Sequence, residues 1–196
     1  MTDLFALLDQ PRRPWLDPET LREAFHERTL RQHPDAQASG ADGSSADADF
    51  ARINEAFQTL SDPKLRLQHL LALAGHASTS RFDSVPANIA DLFPAIAQVT
   101  QDATRVADKA TGATTALSRS LLTGEIVQVR NRIAALLTTL TELKAEADAE
   151  LQQLDATFAE GDEVAMAALQ RLYVRYSYLR RWMAQLEEHR TALATM

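Results

Sequence analysis

The sequence predicts an all-α protein on two observations. Only six glycines and seven prolines occur in 196 residues, with few β-branched runs, so little material is left for strands and turns. Apolar residues recur instead at three- and four-residue spacings, the period of a helix that buries one face. Two stretches interrupt that period. Gln37 to Ser45, QASGADGSS, reads as a polar loop around Gly40 and Gly43. Gly75 to Val85, GHASTSRFDSV, ends at Pro86 and reads as an interdomain linker. The predicted organisation is an N-terminal four-helix domain over 1–75, a linker over 76–86 and an antiparallel three-helix bundle over 87–196. No internal repeat is visible.

The N-terminal helices follow from local signals. The first runs from Asp3 to about Leu8. The second opens at Asp17-Pro18-Glu19: Asp17 can cap the free amides, Pro18 suits the first turn and Glu19 suits the positive helix end. It continues to about Gln32 with Leu21, Ala24 and Phe25 on one face. The third spans about Ala46 to Leu60, where Phe50, Ile53, Phe57 and Leu60 form one apolar stripe. The fourth starts at Pro63 and carries Leu65, Leu67, Leu70, Leu71 and Leu73.

In the C-terminal part, one long helix is expected from about Ala87 to Leu122, with Pro94 as a start or kink and Gly112 as a weak point. A second follows Thr123-Gly124 and holds a helical period from Ile126 to Phe158. The third follows Gly161-Asp162 and places Met166, Leu169, Tyr173, Tyr176, Leu179, Met183, Leu186 and Leu193 on one stripe. Short connections between long amphipathic helices imply a bundle.

Composition narrows the function. With no cysteine, the chain has no disulfide, thiolate metal site or cysteine nucleophile. The N-terminus lacks a basic stretch followed by an apolar one, and no apolar run approaches the roughly 20 residues of a membrane span. A cytoplasmic, non-membrane protein is the expectation. The balance of 20 Lys and Arg against 27 Asp and Glu argues against nucleic acid as a partner.

Between the second and third helices stands His33-Pro34-Asp35. Any given tripeptide arises by accident in about one chain in a hundred of this length. Alone, it reads equally as a helix stop, because proline cannot continue a helix and Asp35 can start a turn. Its position makes it specific: it follows one amphipathic helix directly, opens a polar loop and precedes a second amphipathic helix.

That arrangement resembles a J domain, the module with which co-chaperones stimulate ATP hydrolysis by DnaK-type chaperones. DLFALL at Asp3–Leu8, LREAFHERTLRQHPD ending at Asp35 and INEAFQTLSDP at Ile53–Pro63 fall in the family's order and spacing. QPRRPWLD at Gln10–Asp17 and QHLLALAG at Gln68–Gly75 are similar to the HscB type, the iron–sulfur-cluster co-chaperones. So is LYVRYSYLRRWMAQLEE at Leu172–Glu188. The resemblance implies that His33, Pro34 and Asp35 engage a DnaK/HscA-type chaperone, with Arg22, His26, Arg28 and Arg31 of the second helix meeting its acidic face. It also implies that the bundle carries a client, an iron–sulfur scaffold protein being the family's. The matching client region is Ile89–Val106, with apolar Leu92, Phe93 and Ile96.

The sequence departs from the family at several positions. Ala36 stands where a lysine usually follows the tripeptide, and Gln32 where an aromatic residue precedes it. Arg28 occupies a position where a core leucine is common, so its stem is expected to pack while its charge reaches water. Glu19, Glu23 and Glu27 dilute the basic surface. The client region keeps only Asp91 and Asp102 in place of a glutamate cluster. A J-like adaptor without stimulating activity is the rival reading.

Other constellations carry less. Arg171, Arg175, Arg180 and Arg181 with Tyr173, Tyr176, Tyr178 and Trp182 suggest base stacking along a basic strip, but the aromatics fall partly on the core stripe and Glu187-Glu188 follows. The five histidines show no metal-ligand spacing, and His69 and His76 are expected at the surface near the domain junction. No phosphate loop, nucleophile elbow or zinc-protease helix is present. The expectation is a non-enzyme with no cofactor and no metal.

Overall fold

A computed structural model describes residues 2–31, 43–76, 85–159 and 161–195; of residues 43–47 it describes the backbone. All secondary structure among them is helical: α1 Leu4–Leu7, α2 Pro18–Arg31, α3 Gly43–Ser61, α4 Pro63–Leu73, α5 Ala87–Ala90, α6 Phe93–Gly112, α7 Ala116–Thr157 and α8 Glu163–Ala194. None is long and apolar enough to cross a membrane.

The chain divides into two compact units. One comprises Met1–Arg81 with Ala149–Tyr173, the other Phe82–Asp148 with Val174–Met196. The expected division at 76–86 is therefore only part of the pattern, because the adjoining ends of α7 and α8 group with the N-terminal helices. The expected linker falls largely on residues outside those described.

Short-range chemistry sets the ends of the N-terminal helices. Asp3 caps α1, accepting the N–H groups of Phe5 at 3.0 Å and Ala6 at 3.3 Å. Asp17 accepts both the N–H and the hydroxyl of Thr20, at 2.8 and 2.9 Å, and Asp62 caps α4 by accepting Leu65 N–H at 3.1 Å. Gly75, with φ 77°, takes the left-handed conformation that ends α4. The core of this unit gathers Phe5, Leu8, Leu16, Leu21, Ile53, Ala56, Leu60, Leu67, Leu70 and Leu71 with Leu151, Met166, Leu169 and Leu172. Two expectations change here. The polar loop is shorter, since Gly43, Ser44 and Ser45 already belong to α3. Phe50 leaves the α3 stripe and is exposed; Ala56 takes a core position instead, because the buried arc runs through Ile53, Ala56 and Leu60.

In the second unit α6, α7 and α8 share one core of Ile96, Val99, Ala103 and Val106, Val129, Ile133 and Leu140, and Tyr178, Leu179, Trp182, Leu186 and Leu193. Pro94 lies in the first turn of α6, where its missing N–H costs nothing. The next connection differs from expectation. α6 ends at Gly112 and α7 begins at Ala116, so Gly124 lies within a helix rather than between two. A reciprocal cap fixes that start: Ser118 N–H donates to Thr115 Oγ1 at 3.1 Å and Thr115 N–H to Ser118 Oγ at 3.2 Å. One mid-helix glycine costs only about 1 kcal/mol, which burial along the rest of α7 outweighs. Between α7 and α8, Gly161 turns the chain with φ 90°.

Candidate functional site

The site begins with the hairpin of α2 and α3. Phe25 and Phe57 stack with centroids 4.4 Å apart and 26° between planes, over buried Leu21 and Ile53. This fixes the solvent face of α2. Arg22, His26 and Arg31 are exposed on it and Arg28 is half-buried. His33, Pro34 and Asp35, with Gln32 and Ala36, lie outside the described residues; in sequence they follow the last turn of α2 and precede α3.

The arginines of α2 are engaged along the protein's own surface. Arg22 pairs with Glu19 at 2.6 Å and Arg31 with Glu27 at 2.5 Å, both within the helix. Pairs this exposed contribute little energy, so a stronger acidic partner can exchange for them. Arg28 reaches off the helix to Asp9 at 2.6 Å, while its Nε is buried without a hydrogen-bond partner. Its stem is packed and its charge sits at the surface, as its position implied. Hydrogen bonding from Thr20 holds the Asp17 carboxyl below the usual carboxylate range, so the N-terminal cap of α2 stays ionised.

Sequence reasoning missed two apolar residues here. Leu30, near the end of α2, is 70% exposed and Phe50 on α3 is 46% exposed. Both belong to the ends of these helices nearest the tripeptide in sequence. The signal lay in Leu30 standing three residues before His33, off the Leu21–Phe25 face.

A second feature is the segment between α1 and α2. Buried Arg66 of α4 donates from Nε to Pro14 O at 2.7 Å and from Nη1 to Leu60 O at 2.5 Å, with its guanidinium 5.9 Å from the Trp15 ring. A buried guanidinium is tolerated when its donors are satisfied, and here it staples Gln10–Asp17 to α4.

The expected client residues separate. Ile96 is buried at 5% exposure in the core of the second unit, Leu92 is half-buried against that core, and Phe93 is 39% exposed. Phe93 lays its edge against Tyr178 and Trp182, at 5.3 and 5.0 Å. Phe93 alone has the exposure a docking face needs.

In the strip on α8 the aromatics are mostly interior, while Arg171, Arg180 and Arg181 are exposed. Tyr176, Tyr178 and Trp182 are buried, and Arg175, also buried, donates to Glu146 and to Leu143 O, each at 2.9 Å. Tyr176 donates to Asp148 at 2.7 Å. His69 is a correction: expected at the surface, it is 8% exposed, because the α4 face that carries Arg66 and Leu70 is turned inward. Among the described residues no group of three or more histidines and carboxylates is placed to hold a metal ion.

Comparison with known proteins finds a family model and curated relatives that match the N-terminal part of the chain. The DnaJ domain family matches residues 3–69. The HscB co-chaperone homologues of Bordetella pertussis and Bordetella parapertussis are each 43% identical over 75 residues, which is 37% of this chain and 44% of theirs. The match thus spans less than half the length of those curated relatives. The chaperone HscB from Vibrio cholerae aligns over 98% of this chain and 99% of its own, with 22% identity and a TM-score of 0.49. Residues 3–69, with their stacked α2–α3 hairpin, are a J domain. Over that part of the chain the curated relatives it resembles are HscB co-chaperone homologues.

Proposed function

We propose that this chain is a co-chaperone: through His33-Pro34-Asp35 it stimulates ATP hydrolysis by a DnaK/HscA-type chaperone. The observation that carries the reading is the J-domain hairpin with the intact tripeptide between its helices. Arg22, His26, Arg28 and Arg31 steer the approach to an acidic chaperone surface, and the exposed Leu30 of α2 and Phe50 of α3 supply apolar contact. Hydrolysis takes place on the chaperone, because this sequence carries no recognisable nucleotide-binding motif. The bundle assigned to 87–196 delivers the client, an iron–sulfur scaffold protein, with Phe93 and the flanking Leu92 as the contact and Ile96 supporting them from the core.

The rival reading is a J-like adaptor with no stimulating activity. What favours it is the self-pairing of Arg22 with Glu19 and Arg31 with Glu27, which lowers the free positive charge on α2, together with Ala36 and Gln32 beside the tripeptide. Single-turnover ATP hydrolysis by the DnaK-type chaperones of the same organism separates the two. Wild type should accelerate one of them, and His33→Gln should abolish the acceleration while leaving the circular dichroism spectrum and the melting point unchanged. Failure of wild type with every such chaperone would establish the adaptor.

A further inference from the structure

The short helix α1 is fastened at both ends. At its start, Leu4 N–H donates to Nε2 of His69 on α4 at 3.0 Å. The fully buried Phe5 ring stacks on the same imidazole, with centroids 5.7 Å apart and 25° between planes. Beyond its end, Asp9, at φ 51°, pairs with Arg28 of α2. An imidazole nitrogen that accepts a hydrogen bond carries no proton, so the bound form is the neutral ring with its hydrogen on Nδ1. A proton on Nε2 would set one N–H against another and place a charge where little water reaches it.

The charged groups facing His69 do not relieve that conflict. Asp3, at the cap of α1, already accepts Phe5 N–H, Ala6 N–H and Arg12. To take up the imidazolium it would have to share its two oxygens with a fourth donor. Arg12 opposes a further positive charge, and from α3 Glu55 favours it while Arg52 lines the same groove with the opposite sign. Burial outweighs the two carboxylates, and His69 is held below the ordinary histidine value.

We propose that His69 is a proton-operated latch on α1: neutral, it pins the start of α1 to α4; protonated, it releases α1 and slackens the Asp9–Arg28 tie to α2. The latch rests on contacts within the J domain alone. Its consequence for Arg28 as a chaperone contact rests on the function proposed above.

The experiment is NMR on the full chain from about pH 7.5 to about pH 5, following the His69 ring and the exchange protection of the Leu4 amide. Protection should fall by about tenfold or more, with the midpoint of the His69 titration. In His69→Gln, whose amide oxygen can still accept but does not titrate, protection should stay flat across the range. A His69 titration that leaves Leu4 unchanged would overturn the latch, as would the same loss in His69→Gln. Should the variant fail to fold, the wild-type titration decides by itself. No chaperone is present, so the outcome is independent of whether this chain stimulates one.

Discussion

Asp155, near the end of α7, accepts the backbone N–H of Trp15 at 3.1 Å, more than a hundred residues away in the chain. Arg13 completes the contact, donating to Asp155 O at 2.9 Å and pairing with its carboxylate at 3.1 Å. The segment joining α1 to α2 is thereby held from two directions, by Asp155 and by buried Arg66. The J domain of this chain is thus built partly on residues that follow it by a long stretch of sequence.

Asp155→Ala leaves the half-buried Trp15 N–H without its acceptor. The expected cost is about 1–3 kcal/mol, read as a lower melting point. A fragment ending after α4 should melt below the intact chain for the same reason. An equal melting point would show that Asp155 contributes nothing to the N-terminal unit.

Phe57→Ala removes one ring of the Phe25–Phe57 stack. Because Phe57 is only half-buried, the expected loss is about 2–3 kcal/mol, under the range for a fully enclosed ring. Thermal denaturation measures it, and stimulation of a chaperone should fall in proportion to the unfolded fraction.

The client residues should divide in the same way as their burial. Ile96→Ala should cost about 2–5 kcal/mol of stability. Phe93→Ala loses only edge-on ring contacts, about 1 kcal/mol, and should weaken scaffold capture far more than it lowers the melting point. Unaltered capture by Phe93→Ala would remove this residue from the client face.

Asp102 of α6 accepts Arg132 of α7, and also Arg105 at 3.0 Å and Gln98 at 3.2 Å. These hydrogen bonds hold its carboxyl well below the ordinary range. A carboxyl depressed in the folded state gives stability that is complete above its unfolded value, about 3.9, and is lost as pH falls toward the folded one. Wild type should lose stability below about pH 4. Asp102→Asn should melt lower at neutral pH and show a shallower acid decline, measured by melting point against pH.

Much of the fold was legible because it is written in short range. Asp17-Pro18-Glu19 starts α2 through atoms within one turn, and Pro94 starts α6 for an equally local reason. Sequence pattern puts the break between α6 and α7 at Thr123-Gly124, whereas the chain turns at 113–115. Glycine's helix penalty is local and small, and the Thr115–Ser118 cap was the stronger signal. The α2 surface residues were found from helical position and from the J-domain resemblance, while Leu30 went unnoticed as one more leucine in an amphipathic stretch.

By itself, the sequence determined the helical class, the order of the helices and the placement of His33-Pro34-Asp35 between α2 and α3, since periodicity and end signals act within a few residues. Tertiary structure alone decided that Phe50 faces solvent while Ile96 does not, that His69 is buried against α1, and that the ends of α7 and α8 join the N-terminal core. Each of those outcomes depends on which distant surface covers a given face. Apolar burial is non-directional, so a helix specifies that one side must be covered but not by what.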